Sequence, residues 1–161
     1  MIHVRNAGPM DAPAMADLLN AIIEKGGTTA HTTPVDRNTL VTLMQAYPGK
    51  SAWLIAEDDT GTLLGFQLVE PHDKLPPEAC DIGTFTALGH AQMGIGSALF
   101  AQSCTAARTL GFTWINATIR ADNTGGLAYY QSRGFEDYKL DHNISLDDGT
   151  LVDKVSKRFD L

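Results

Sequence analysis

Met15, Leu18, Leu19, Ile22 and Ile23 recur at helical spacing behind Asp11, a capping residue type, and predict an amphipathic helix closed by Gly26 and Gly27. A polar loop over 28–33 separates it from a second helix, opened by Pro34 and Asp36 and carrying Leu40, Leu43, Met44 and Tyr47. Each helix is expected to lay one face on a sheet. Residues 3–5 form a short strand before them. Residues 51–57 and 63–69 read as two strands of a hairpin, joined by Asp58, Asp59, Thr60 and Gly61, which accept the dihedrals of a tight turn. After an irregular connection holding Pro71, Pro76 and Pro77, a strand is predicted over 79–88. The Ala-, Leu- and Phe-rich stretch 95–110 reads as a helix covered on most sides, with Gly111 placed to close it. Strand 112–119, helix 124–133 ended by Gly134, and strands 135–140 and 151–159 around Asp147, Asp148 and Gly149 complete the chain. No internal repeat appears.

With 161 residues, 43% apolar and 19% charged, the chain is expected to form a single domain over 1–161 around one core. Its 12 basic residues are scattered among 19 acidic ones, for a net charge of -7, which argues against nucleic acid as a partner. The amino terminus turns polar too soon for a secretory segment, and no apolar run approaches the roughly 20 residues of a membrane span. No membrane partner and a cytoplasmic location are therefore expected. Cys80 and Cys104 lack the spacing of a metal or redox pair, and the five histidines lack an HExxH pattern, so neither a disulfide nor a metal is implied.

Two segments carry the candidate chemistry. In the first, Thr84 to Ser97, a strand passes through a glycine-containing loop into the long helix. Free N–H groups of a helix's first turn, the positive end of its dipole and a glycine without a Cβ together suit a phosphate. Two other phosphate motifs fail: a dinucleotide fingerprint needs glycine where Leu99 stands, and Gly49, Lys50 and Ser51 lack the P-loop glycine, Met44 occupying its place. The second segment runs from Asn123 to Phe135, again from strand to helix, with Asn123 seven residues before Tyr130 and Tyr130 four before Gly134-Phe135.

In order and spacing these two blocks resemble the pyrophosphate block and the following block of the GNAT acyltransferases, the match covering 84–135. The Asn- and Thr-rich region around the first helix resembles the phosphinothricin-acetyltransferase-like branch. The resemblance implies an α/β (α+β) fold of the GNAT type, with a central mixed, mostly antiparallel sheet of about seven strands, flanked by about four helices and splayed near Leu88 to admit the cofactor. It implies N-acetyltransfer from acetyl-CoA to a primary amine of a small molecule by direct attack. The alternatives are a silent acyl-CoA-binding sensor and an enzyme acting on a protein or peptide amine. Homodimers are implied by family habit.

By the same resemblance, Gln92, Met93, Gly94, Ile95, Gly96 and Ser97 would bind the pyrophosphate. Thr86, Ala87 and Leu88 would pair with the pantetheine and supply an oxyanion N–H, Asn123 would contact the cofactor arm, and Tyr130 would protonate the departing thiolate. Ala91 departs from the Gln or Arg that usually heads the block, so weakened or re-routed cofactor contacts are expected. Tyr129 is expected to point away from Tyr130, since successive helical residues differ by about 100 degrees. An amine is protonated at neutral pH and needs a base. Asp81 is the candidate, with Glu78, His142 or a water chain as alternatives. No nucleophile elbow supports an acyl-enzyme. The loop 26–34 and the hairpin 141–150 are expected to wall the acceptor site.

Overall fold

The alternating and helical segments assemble into a seven-stranded sheet with helices on both faces, and the computed structural model describes residues 1–89 and 94–161. Among the described residues the elements are β1 (His3–Asn6), α1 (Ala12–Lys25), α2 (Arg37–Met44), β2 (Ala52–Glu57), β3 (Leu63–Glu70), β4 (Ala79–Thr86), α3 (Ile95–Thr109), β5 (Trp114–Arg120), α4 (Thr124–Ser132), β6 (Glu136–Ser145) and β7 (Leu151–Asp160). The strand order is β1-β2-β3-β4-β5-β7-β6, and only β4 and β5 run parallel. This is the mixed, mostly antiparallel architecture expected from the sequence. No helix among the described residues is long and apolar enough to cross a membrane.

Side-chain alternation assigns the faces. Cys80 and Ile82 of β4 join Ile115, Ala117 and Ile119 of β5 in a core capped by Phe100, Cys104 and Ala107 of α3 and by Tyr130 of α4. On the other face Trp53, Ile55 and Phe66 pack under Met15 and Leu19 of α1 and Leu40 of α2. Phe66 stacks on Trp53 at 6.2 Å and meets Phe85 at 4.9 Å between ring centroids. The central strands are therefore apolar on both sides, and polar residues within them stand out.

Several local details differ from the sequence expectation. Asp11 holds the N-cap position of α1, but its side chain does not cap the helix: a 3-10 turn over Pro9–Asp11 precedes it, and the carboxylate accepts the Gly8 N–H at 2.8 Å while pairing with Arg5 at 2.9 Å. The second helix stops at Met44, before Tyr47, since Pro48 disfavours helical dihedrals in the residue before it. Its Asp36 cap forms as expected, accepting the Thr39 N–H at 2.7 Å. Strand β4 ends at Thr86, not at 88. Strand β6 runs five residues past Leu140, because a bulge absorbs the polar Asp141, His142 and Asn143: Asn143 adopts a φ of 54° and donates its N–H to Asp153 at 3.0 Å.

Phe66 is 1% exposed at the centre of its cluster. Phe66→Ala is expected to cost about 3–5 kcal/mol of unfolding free energy, read from chemical denaturation.

Candidate active site

Strands β4 and β5 pair over only three residues, Ala79↔Trp114, Cys80↔Ile115 and Asp81↔Asn116, and then diverge. Beyond that point β4 keeps its hydrogen bonds to β3, with Thr86 opposite Gly65, while β5 keeps its own to β7. The facing edges of 82–86 and 117–120 are thus left without a strand partner. The opening starts at Asp81, seven residues before the expected position near Leu88, because β4 is already following β3 and β5 following β7. Of the residues assigned to a pantetheine, Thr86 ends β4, Ala87 donates its N–H to Leu64 at 2.8 Å, and Leu88 is exposed beyond the strand.

Helix α3 starts at the mouth of this gap. Gly94 is its N-cap in the left-handed region, with φ at 77°, which glycine adopts without strain. The N–H groups of Ile95, Gly96 and Ser97 lie in the first turn, outside the intrahelical ladder. Gln92 and Met93, the first two residues of the expected phosphate loop, lie outside the described residues. Ile95 points into the core beside Leu54 and Leu64. Ser97 accepts a hydrogen bond from Arg133, the C-cap of α4. Glycine at 96 has a cause the sequence did not suggest: an added Cβ would lie 2.6 Å from Cε1 of Tyr129. Tyr129 therefore does not point away from the site, and its hydroxyl donates to the Gly96 carbonyl at 2.8 Å.

Asn123 caps α4, accepting the Gly126 N–H at 2.9 Å, while its amide donates to the Thr28 carbonyl at 3.0 Å. Arg120 donates to the Thr29 carbonyl at 3.2 Å, so two residues at the open end of the gap tether the α1–α2 loop. His31 of that loop faces Phe85 with ring centroids 6.3 Å apart. Partial desolvation lowers the His31 pKa although the residue is exposed, and the charge of Asp147 in the β6–β7 turn partly opposes it. Loop and turn thus come together over the β4 face that carries Phe85.

Tyr130 is 6% exposed, and its hydroxyl lies 2.7 Å from Thr84 Oγ1. Burial raises the phenol pKa above its ordinary value, with the Thr84 hydrogen bond opposing, so the hydroxyl keeps its proton at neutral pH. Thr84 shares the face of Cys80 and Ile82, on the α3 and α4 side of the gap. Asp81, of opposite parity, faces the other side. Its carboxylate accepts from Asn116 Nδ2 at 2.9 Å, and the Asn116 carbonyl accepts from the Tyr138 hydroxyl. Burial raises its pKa, while Asn116 and then the charges of His72 and Lys154 oppose the rise.

Sequence reading missed Glu70, the direct cross-strand neighbour of Asp81. Burial, and then the Asp81 charge, push its carboxyl up to about 7. The signal was the antiparallel register, which places Glu70 beside Asp81 and Gln67 beside Thr84. The other candidate bases stand elsewhere: Glu78 is exposed before β4, and His142 pairs with Asp153 at 3.1 Å on the outer strands. Among the described residues no cluster of His, Cys, Asp and Glu has the makings of a metal site.

The model of the acetyltransferase (GNAT) family matches residues 16–135. Comparison with curated protein sequences finds no match. Similar folds occur in ribosomal-protein-alanine N-acetyltransferase from Brucella melitensis, at 23% identity and a TM-score of 0.89 over 99% of this chain and 99% of that one. They also occur in a phosphinothricin acetyltransferase from Sinorhizobium meliloti in complex with AcCoA, at 18% identity and a TM-score of 0.89 over 99% of this chain and 88% of that one. A GCN5-related N-acetyltransferase from Kribbella flavida superposes with a TM-score of 0.84 at 23% identity, over 99% and 98% of the two chains.

The contact of Gly96 with Tyr129 makes a stability prediction. Gly96→Ala is expected to lower stability by about 1–3 kcal/mol through the clash with the Tyr129 ring. Most of that loss should vanish in a Tyr129→Ala background, as measured by urea denaturation of both pairs.

Proposed function

The chain belongs to the acetyltransferase (GNAT) family, and from that premise we propose that it moves the acetyl group of acetyl-CoA to the primary amine of a small molecule by direct attack. One observation carries the reading: the β4–β5 gap has the Tyr130 hydroxyl on one face and the Asp81 and Glu70 carboxylates on the other. A thioester seated in the gap would meet an acid from one side and a base from the other.

The residues present fit that donor. The unpaired edge of β4 offers backbone N–H and C=O groups to an extended, amide-bearing pantetheine, as a further strand would be offered them. A β4 amide directed into the gap can also stabilise the oxyanion of the tetrahedral intermediate. The first turn of α3, behind the left-handed Gly94, presents N–H groups and the positive end of the helix dipole to the pyrophosphate. The side-chain amide of Asn123 is committed to α4 and to Thr28, so this residue shapes the mouth of the site through the loop it ties down.

Acetyl transfer requires a neutral amine, whereas an alkylamine with a pKa near about 10.4 arrives protonated. Asp81 and Glu70 supply both an anionic seat for the ammonium and a base near neutrality. We assign the base to this carboxylate pair, with Asp81 facing the gap beside Asn116. The amine nitrogen then attacks the thioester carbon, and Tyr130 protonates the sulfur as the C–S bond breaks. The small size of the acceptor is argued from the tethered loop at Thr28 and Thr29 and from His31 beside Phe85 and Asp147, which cover the acceptor face where a polypeptide would need an open groove. The work is expected in the cytoplasm.

Calorimetric titration with acetyl-CoA, followed by thiol release in the presence of amino acids, polyamines and peptide amines, tests this reading. Saturable binding, with release driven by a small amine, is the expected result. Binding without release from any amine would leave only an acyl-CoA sensor, and absence of binding would overturn the assignment.

The carboxylate pair gives a pH signature. A raised pKa means that the base is protonated and idle at low pH, so kcat/KM should rise as pH increases through about 7. Glu70→Gln removes the carboxyl pushed up to about 7, and the acid limb should move to lower pH. Superimposable profiles for the two proteins between about pH 5.5 and 8.5 would exclude Glu70 from the base.

A further inference from the structure

The Gln67 side chain is 0% exposed in the middle of the sheet, which is an unusual place for an amide. Its Nε2 lies 2.9 Å from Thr84 Oγ1 and 3.2 Å from the Tyr129 hydroxyl. One nitrogen therefore feeds two branches, each ending on a tyrosine of α4.

The first branch is closed, and it fixes the orientation of the Gln67 amide. The Gly96 carbonyl can only accept, so the Tyr129 proton is committed to it at 2.8 Å. The Tyr129 oxygen can then only accept from Gln67, which means the amide must present its N–H groups and not its oxygen. The same nitrogen faces Thr84, so Thr84 accepts as well. Having accepted from Gln67, Thr84 has its own proton to direct at the Tyr130 oxygen, 2.7 Å away. Either hydroxyl can donate in that pair; with Thr84 donating, Tyr130 holds the only proton of the network without an acceptor inside it.

We propose that Gln67 and Thr84 are positioning residues for Tyr130, forming a one-way donor chain from the Gln67 amide through the Thr84 hydroxyl to the Tyr130 oxygen that turns the phenol proton toward the departing sulfur. The inference rests on the acetyl-transfer reading. As the tetrahedral intermediate collapses, the C–S bond breaks and its electron pair leaves with sulfur. The Tyr130 O–H proton passes to that sulfur to give the free thiol. The phenolate left behind is held by the Thr84 hydroxyl until it takes a proton from solvent, while the proton lost by the amine has gone to the carboxylate pair. Tyr129 has the same hydroxyl on the same helix but does not share the task, because its proton is tied to the backbone of α3.

Thr84→Val keeps the shape of the side chain and removes the donor, and Thr84→Ser restores it. Thr84→Val is expected to lower kcat for thiol release about 10-fold, a fraction of the 100-fold or more commonly supplied by a general acid, with the calorimetric Kd for acetyl-CoA changed by less than about 2-fold. Thr84→Ser should return kcat to within about 2-fold of the parent. In a Tyr130→Phe background Thr84→Val should cost nothing further, since the chain acts only through the phenol. A readout that needs no acceptor amine is the thiol ionisation of bound coenzyme A, followed by thiolate absorbance: it should shift to higher pH in Thr84→Val. Additive losses in the double variant, or unchanged kcat and thiol ionisation in Thr84→Val, would overturn the donor chain while leaving acetyl transfer intact. A parent protein that binds acetyl-CoA but releases no thiol with any amine would overturn the transfer reading and with it the chain's catalytic role.

Discussion

Everything at the site depends on the parting of two parallel strands after three paired residues. A central strand ordinarily satisfies its backbone on both edges, and an unpaired edge in the middle of a sheet carries the cost of unmet hydrogen bonds. Here each strand is held by its outer neighbour: β4 is paired with β3 from Asp81 to Thr86, the whole of the stretch that has parted from β5, and β5 with β7 along its whole length. Those ladders let the sheet open without unravelling. The parting turns an interior surface into a slot lined with donors and acceptors at strand spacing, and that slot is suited to an extended chain with amides of its own.

The slot then makes use of the alternation of side chains along β4. Thr84 and Asp81 are three residues apart, so they face opposite sides of the sheet and are separated by roughly 10 Å along the strand. That odd separation sets Tyr130, beside Thr84, on the α3 and α4 face of the sheet and the carboxylates on the opposite face. An acid and a base in one shared space would tend to neutralise each other. With the sheet between them, Tyr130 is kept protonated by burial, while the charges of His72 and Lys154 favour the ionised form of the Asp81 carboxyl against its burial.

Much of the fold was legible in the sequence, because its helices are amphipathic at clear spacing and its hairpins are punctuated by Asp and Gly. The candidate site was legible where it coincided with backbone signals, the glycine at the head of α3 and the tyrosine at a fixed distance from Gly134, whereas Asn123, read as a cofactor contact, caps α4. What escaped depended on register. Glu70 and Gln67 carry no local signal, being an acid at a strand end and an amide within a strand, and they matter only because the β3–β4 ladder sets them beside Asp81 and Thr84. Tyr129 escaped for a related reason. Helical geometry alone turns it away from Tyr130, yet the gap between α4 and α3 is narrow enough for both hydroxyls to reach the Gln67 amide, one directly and one through Thr84.

The buried amide also bears on how the donor site and the proton donor are tied together. The Tyr129 branch runs from Gln67 to the carbonyl of Gly96 in the first turn of α3, and the Tyr130 branch runs from the same nitrogen to the expected position of the leaving group. A displacement of that first turn would be felt at Gln67 through Tyr129, and at Tyr130 through Thr84. Because Gly96 has no side chain, the tyrosine ring lies directly against the helix backbone, and a shift of the helix cannot be absorbed by a flexible side chain in between. The first turn of α3 and the Tyr130 phenol are therefore linked by hydrogen bonds through one fully buried residue.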